Sequence, residues 1–353
     1  MDSASSNEPL AVGIIGDGFM QPSYFVEALQ ERFADRPLAI ETMTLGWPIE
    51  RNITKVDPEL SVQEFVGRPE QFFEFISRTE ILVNHLAPVT RETFERAPRL
   101  KLIAVSRGGP INIDMKAAAD HGVQVVNTPG RNASAVAEFT IASMLAETRN
   151  LIRGHIALAR GEYRGDLYHR DITGPELCEL TVGVIGYGHV GTRVVRMLKP
   201  FGCRILVNDP YKQLSREDLD DGVVMADLDT VLREADIVTL HPRVTQETRG
   251  MIGAAQFAAM KKGAYFVNTA RGPLVDYDAL HEALVSGQLA GAALDTFAFE
   301  PPPPGWPLLE LPNVTLSPHI AGASRYTIRK AAVMAAEEVA RFVNRQAPLH
   351  PCT

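Results

Sequence analysis

Cysteine is scarce. The 353 residues hold three, Cys178, Cys203 and Cys352, odd in number and far apart, which excludes a disulfide framework and predicts free, buried thiols in a reducing compartment. No run of Lys or Arg appears and the formal net charge is −8, so a phosphate-neutralising nucleic-acid surface is excluded. No stretch carries 18 apolar residues without a charge or breaker, and the first residues, MDSASSNEPL, lack a basic segment ahead of an apolar one. Neither a membrane span nor a leader is expected, and the reading is cytoplasmic. Repeats and low-complexity segments are missing apart from Pro301 to Pro304, which reads as a stiff surface loop. No metal site is expected.

What remains is an ordinary globular composition, 45% apolar and 22% charged, on a chain long enough for about two domains. The default partner is a small molecule bound in a cleft. Short aliphatic runs recur between helical patterns: AVGIIG, ILVN, LKLIAV, TVGVIG, RILVND, DIVTL, AYFVNT and NVTLSP. They are apolar at consecutive positions, as strands buried on both faces of a parallel sheet must be. One α/β unit is predicted ahead of Asn127-Thr128-Pro129-Gly130, with strands near 11–15, 37–43, 80–84, 101–105 and 123–126. A single connecting helix over 133–159 follows, then a second α/β unit. A last helix over 325–344 is expected to pack back on the first domain.

The strongest local motif is Thr181-Val-Gly-Val-Ile-Gly186-Tyr187-Gly188-His189-Val190-Gly191. In a strand–loop–helix, Gly186 would allow the tight turn, Gly188 the approach of a pyrophosphate, and Gly191 close packing of the helix, whose N-terminal amides would face the phosphates. The next strand ends at Asp209, 23 residues after Gly186, where a carboxylate accepts ribose hydroxyls and repels a 2′-phosphate. The cofactor expected is NAD. His241, Pro242, Thr269, Ala270 and Asp295, at the ends of neighbouring strands, complete the cofactor set. Asp295 could take the nicotinamide carboxamide or merely cap a loop. A second match, Gly13-Ile-Ile-Gly16-Asp-Gly18, has Gln21 at the third glycine position and no acidic residue after the next strand. It reads as a plain strand–turn–helix start.

Arg271, Glu300 and His319 each follow a predicted strand, and the carboxyl ends of parallel strands share one edge. Singly, Arg271 could cap a loop, Glu300 could be solvated and His319 could be a satisfied core residue. Together they form a set that hydride transfer needs. A guanidinium fork holds a substrate carboxylate, an imidazole exchanges a proton with the carbonyl oxygen, and a carboxylate within reach favours the imidazolium form.

Four segments carry a resemblance: Val184 to Gly191, Asn268 to Asp276, Gly291 to Phe297 with Glu300-Pro301, and Ser317 to Gly322. In these the sequence resembles the D-2-hydroxyacid dehydrogenase family, in the branch with phosphoglycerate dehydrogenase and glyoxylate/hydroxypyruvate reductase. The resemblance implies two doubly wound parallel-sheet domains, a Rossmann cofactor domain (129–322) inserted into a flavodoxin-like substrate domain (1–128 and 323–353), and a homodimer. It assigns Arg271, Glu300 and His319 the roles above and points to a substrate loop at Ser106 to Asn112. Arg107, Gly108 and Gly109 in that loop, together with His85 and Asn132, are the candidate substrate-binding residues. The loop is shorter than the common pattern and carries Pro110. Arg107 could meet a substrate phosphate or pair with a carboxylate. The substrate expected is a 2-hydroxy or 2-keto acid, whether a phosphorylated one like 3-phosphoglycerate or an unphosphorylated one such as glyoxylate or hydroxypyruvate. An NAD-sensing corepressor is the alternative from another class. The sequence ends at Thr353 without the extra regulatory domain of some phosphoglycerate dehydrogenases, so control by serine is not expected.

Overall fold

A computed structural model describes residues 9–47 and 61–352. The chain forms two compact units, residues 1–131 with 324–353 and residues 132–323. The crossings fall at Arg131–Asn132 and Ala323–Ser324.

In the first unit β1 (Leu10–Gly16), β2 (Leu38–Thr44), β3 (Ile81–Asn84), β4 (Leu102–Val105) and β5 (Gln124–Asn127) make one parallel sheet in the order β2-β1-β3-β4-β5. Side chains alternate across it, as the period of two requires. Ile81 and Val83 of β3 enter one core with Phe25 and Leu29 of the helix Pro22–Arg32, while Leu82 enters the other with Phe75 and Ile76. The terminal helix Arg325–Val343 closes the first of these cores. Its stripe of Ala331, Ala332, Ala335 and Ala336, all buried, permits close approach, and Glu337 pairs with Arg32 at 2.7 Å.

The second unit contains β6 (Thr181–Ile185), β7 (Arg204–Asn208), β8 (Val224–Met225), β9 (Ile237–Leu240), β10 (Ala264–Asn268), β11 (Leu289–Leu294) and β12 (Val314–Leu316). They form a parallel sheet in the order β12-β11-β10-β9-β6-β7-β8. The strand order reverses between β6 and β9, and ligands of open α/β sheets bind beyond the carboxyl ends of strands at such a switch. Val184 of β6, Val207 of β7 and Val267 of β10 fill one core, and Leu206, Phe266 and Leu294 the other.

Two expectations fail. The helix expected over 133–159 is two helices, Ala133–Thr148 and Leu151–Ala159. They break at Asn150, which takes a left-handed φ of 53°, a conformation that asparagine tolerates better than most residues, and its side-chain oxygen accepts from Arg153 Nη1 at 2.5 Å. The cysteines are free, yet Cys178 is exposed and Cys203 and Cys352 only half-buried. Among the described residues no helix is long and apolar enough to cross a membrane, and no group of three or more His, Cys, Asp or Glu could hold a metal ion.

Candidate active site

The glycine loop leaves the carboxyl end of β6. Gly186 has φ 93°, and a side chain on it would lie 2.8 Å from the backbone where His241 meets Pro242. Gly191, the first residue of the helix Gly191–Leu198, lies so close to Gly186 that a Cβ would sit 1.9 Å from its carbonyl oxygen. At Gly188 a Cβ would meet nothing within 4 Å. The loop is thus pinned from beneath and open on its outer side, where the helix N-terminus offers amides to an anion. Asp209, just beyond β7, holds two backbone N–H groups, those of Tyr187 at 2.7 Å and Tyr211 at 2.8 Å, which leaves carboxylate lone pairs for a diol. His189 is exposed and Val190 half-buried. The Tyr187 ring, in contrast, points into the core and is 6% exposed, so only its backbone belongs to the loop's outer surface.

The neighbouring strand ends place the rest. Ala270 is half-buried, and its N–H is held by Asn268 Oδ1 at 3.0 Å. The Thr269 hydroxyl is spent on Thr140 at 2.7 Å, fastening the helix Ala133–Thr148 to β10. The His241 ring keeps Nε2 on the Thr239 hydroxyl at 3.2 Å, and Nδ1 is buried without a hydrogen-bond partner. Burial pulls its pKa to about 3. His85 in the first unit is pulled to about 4, burial outweighing the opposing effect of Asp17. The unfolded chain protonates both below about pH 6.5, so it binds more protons than the folded chain. Stability is therefore expected to fall as pH drops from 6.5 towards 4, by up to about 1.4 kcal/mol per pH unit for each histidine. Urea unfolding between pH 7 and 4 checks this; His241→Gln should flatten the slope by about one proton, and an unchanged slope would contradict it.

His319 follows β12 with a left-handed φ of 53°, a costly conformation for a residue other than glycine and one that functional sites retain. Asp295, 1% exposed at the end of β11, holds it there. Its carboxylate accepts the Ser317 hydroxyl at 2.7 Å and the Ile320 and Ala321 N–H groups at 2.8 and 2.9 Å, gripping the loop on both sides of His319. Asp295 thus clamps the loop that carries His319. Glu300 Oε2 meets His319 Nδ1 at 2.7 Å, and Oε1 takes the Phe297 N–H at 3.1 Å. With Nδ1–H donating to Glu300, Nε2 is the nitrogen left for proton exchange. Arg271 sits beyond β10 with an exposed guanidinium, steadied by one bond from Nη1 to the Ala270 carbonyl at 2.7 Å. Its loop touches the Glu300 loop through backbone, since a Cβ on Gly272 would lie 1.8 Å from the Phe297 oxygen. The Tyr277 hydroxyl donates across to the Thr296 carbonyl at 2.6 Å. The three residues therefore share one edge, His319 and Glu300 in contact and Arg271 on the adjoining loop. A fork for a carboxylate beside a carboxylate-backed imidazole can bind an α-keto acid and protonate its carbonyl oxygen.

The substrate candidates are placed less openly. In the first unit the His85 ring is 3% exposed, with Nδ1 on Asp17 at 2.5 Å and Nε2 3.4 Å from Arg131 Nη2. Arg107 gives Nη1 to the Glu64 carbonyl at 2.7 Å and Nη2 to the Glu64 carboxylate. Gly108 and Gly109 have no atom within 4 Å of an added Cβ, so their backbone is approachable. Asn132, in the second unit, packs its amide against Gly322. Sequence reasoning missed Asp17, Asp218 and Lys199, whose partners lie 68, 31 and 19 positions away, beyond the reach of any local pattern.

A parallel sheet with a glycine loop at its switch point, a carboxylate at the end of the following strand and a His–Glu pair on the same edge is the arrangement of a dinucleotide-dependent dehydrogenase. The sequence profile of the NAD-binding domain of D-isomer-specific 2-hydroxyacid dehydrogenases matches residues 141–321. The chain is 37% identical over 306 residues to a glyoxylate reductase of Korarchaeum cryptofilum, covering 85% of this chain and 91% of that one. It is 38% identical over 281 residues to a D-3-phosphoglycerate dehydrogenase of Archaeoglobus fulgidus, covering 80% and 52%. The solved structure of a D-2-hydroxyisocaproate dehydrogenase superposes with a TM-score of 0.79 at 25% identity, over 97% of this chain and 99% of that one. The chain belongs to the D-isomer-specific 2-hydroxyacid dehydrogenase family and is an NAD-dependent 2-hydroxyacid dehydrogenase.

Proposed function

We propose that the protein is a cytoplasmic, homodimeric reductase of a small unphosphorylated 2-keto acid of the glyoxylate or hydroxypyruvate class. The observation that carries the substrate class is the Arg107–Glu64 pair. A guanidinium neutralised by a carboxylate is a poor ligand for a phosphate dianion, which would have to displace Glu64 against like-charge repulsion. The family relative named glyoxylate reductase agrees with this reading. NAD supplies or accepts the hydride when bound, held by the Gly186–Gly191 loop, Asp209 and the strand ends from His241 to Ala270. Arg271 holds the substrate carboxylate, His319 exchanges the proton at the carbonyl oxygen through Nε2, and Glu300 keeps the imidazole oriented. The test is initial-rate NADH oxidation with glyoxylate, hydroxypyruvate and phosphohydroxypyruvate. We expect kcat/KM for one of the first two to exceed that for the phosphorylated acid by about 100-fold, the size of one misplaced charge. A preference for the phosphorylated acid would overturn the proposal.

The dimer is supported by an apolar stretch on the second unit. Leu151 and Leu158 of the helix Leu151–Ala159 are 64% and 61% exposed, and Tyr163 and Tyr168 are 88% and 95% exposed. Large apolar side chains left exposed along one stretch of chain are what an interface covers, and a second copy of the chain is the occupant we propose. Leu151→Asp with Leu158→Asp is expected to convert a dimer into a monomer by sedimentation, whereas a wild-type monomer would refute the dimer.

A further inference from the structure

Tyr187 occupies a position in the glycine loop where a plain hydrophobe would fill the core equally well. Its ring packs with Val194, Val195, Leu198 and Val207, but its hydroxyl donates to Asp218, a carboxylate with no exposed surface on the short helix Arg216–Asp220. A carboxylate buried to that degree costs several kcal/mol unless it is paired. Oδ2 also accepts the Ser215 hydroxyl at 2.8 Å, while Oδ1, which makes no hydrogen bond, lies 2.5 Å from the Lys199 Nζ cation. Lys199 reaches Asp221 as well, at 2.7 Å. These bonds hold the Asp218 carboxyl below the usual carboxylate range against the opposing effect of burial.

The cluster grips the Gly191–Leu198 helix at both ends. Tyr187 lies in the loop just before the helix, and Lys199 is the residue directly after it. Tyr187 also gives its main-chain N–H to Asp209 at 2.7 Å, so one residue is tied through its side chain to the buried ion pair and through its backbone to the carboxylate that faces the ribose. We propose that Tyr187, Asp218 and Lys199 form a buried anchor that positions Asp209, and thereby sets the affinity for NAD over NADP. All three are positioning residues, none touching the cofactor through its side chain. The inference rests on the reading of the Gly186–Gly191 loop and Asp209 as the cofactor site.

Equilibrium titration with NADH and NADPH, followed by nicotinamide fluorescence, tests it on the wild type, Tyr187→Phe, Asp218→Asn and Asp209→Ala. Tyr187→Phe keeps the ring and its packing, so folding should survive even if Asp218→Asn is unstable. We expect Tyr187→Phe to weaken NADH about tenfold, the effect of losing one charge-assisted hydrogen bond, with little change for NADPH, so that the preference for NADH narrows. A merely structural role would lower the unfolding temperature and leave the NADH/NADPH ratio alone. If Asp209→Ala narrows the ratio and Tyr187→Phe leaves NADH binding within about twofold, the anchor does not position the site and the inference fails alone. If Asp209→Ala also changes neither affinity, the reading of the cofactor site falls, and the anchor with it.

Discussion

Replacing His319 with glutamine is expected to lower kcat by about 10³-fold or more, within the range that removal of a general acid–base group produces. Glutamine can keep a hydrogen bond to Glu300, now at 2.7 Å from the imidazole, and can occupy the same loop, but its amide does not titrate near neutral pH and cannot act as an acid or base. NADH affinity should be unaffected, because the loop that binds it leaves β6 while His319 leaves β12. Steady-state rates with the best keto acid and a direct NADH titration together decide the matter. A kcat within about fivefold of wild type would remove His319 from the proton transfer, whereas loss of both rate and NADH binding would mean that the Asp295-clamped loop has collapsed. Glu300→Gln separates these cases, since it keeps the shape of the pair and removes only the charge behind the ring.

Arg271→Ala is expected to lower kcat/KM for the keto acid by about 10³-fold, since it removes a charge-assisted, two-pronged contact to the substrate carboxylate. The guanidinium is exposed and makes a single hydrogen bond, to the Ala270 carbonyl, so truncation should cost little stability. Arg271→Lys should recover only a small part of the loss, because an ammonium restores the charge without the fork. Full recovery by lysine would show that Arg271 acts through charge alone; unchanged kinetics in the alanine variant would place carboxylate binding elsewhere.

Much of this site was legible in the chain because its grammar is local. The runs ending at Ile185, Asn268, Leu294 and Leu316 announce strands, and the polar residues following them belong on one edge of any parallel sheet. Glycine spacing over Gly186, Gly188 and Gly191 carries its meaning within six positions, as does Asp209 at the end of the next strand. The resemblance to the family rested on the same short segments. Illegible features depend on partners distant in sequence. That Arg107 meets Glu64, that His85 is sealed between Asp17 and Arg131, and that Thr269 spends its hydroxyl on Thr140 are outcomes of packing. The break at Asn150 was illegible for a different reason: beside the local Arg153 to Asn150 bond, the turn is held by a partner distant in sequence, Asn150 donating to the Ile172 carbonyl at 3.2 Å.

The sequence by itself determined the class of fold, the family and the glycine loop that follows the first strand of the second unit. Hydrophobic period, glycine spacing and the residue after each strand are properties of neighbouring positions, and the backbone reads them without help. Only the tertiary structure decided the state of each group. It placed Nδ1 of His319 on Glu300, committed Asp295 to the loop that carries His319, neutralised Arg107 with Glu64, and turned Tyr187 from the loop surface into a buried ion pair. The physical reason is that hydrogen bonding and charge depend on distances of about 3 Å between groups brought together by burial, and burial is settled by the whole fold.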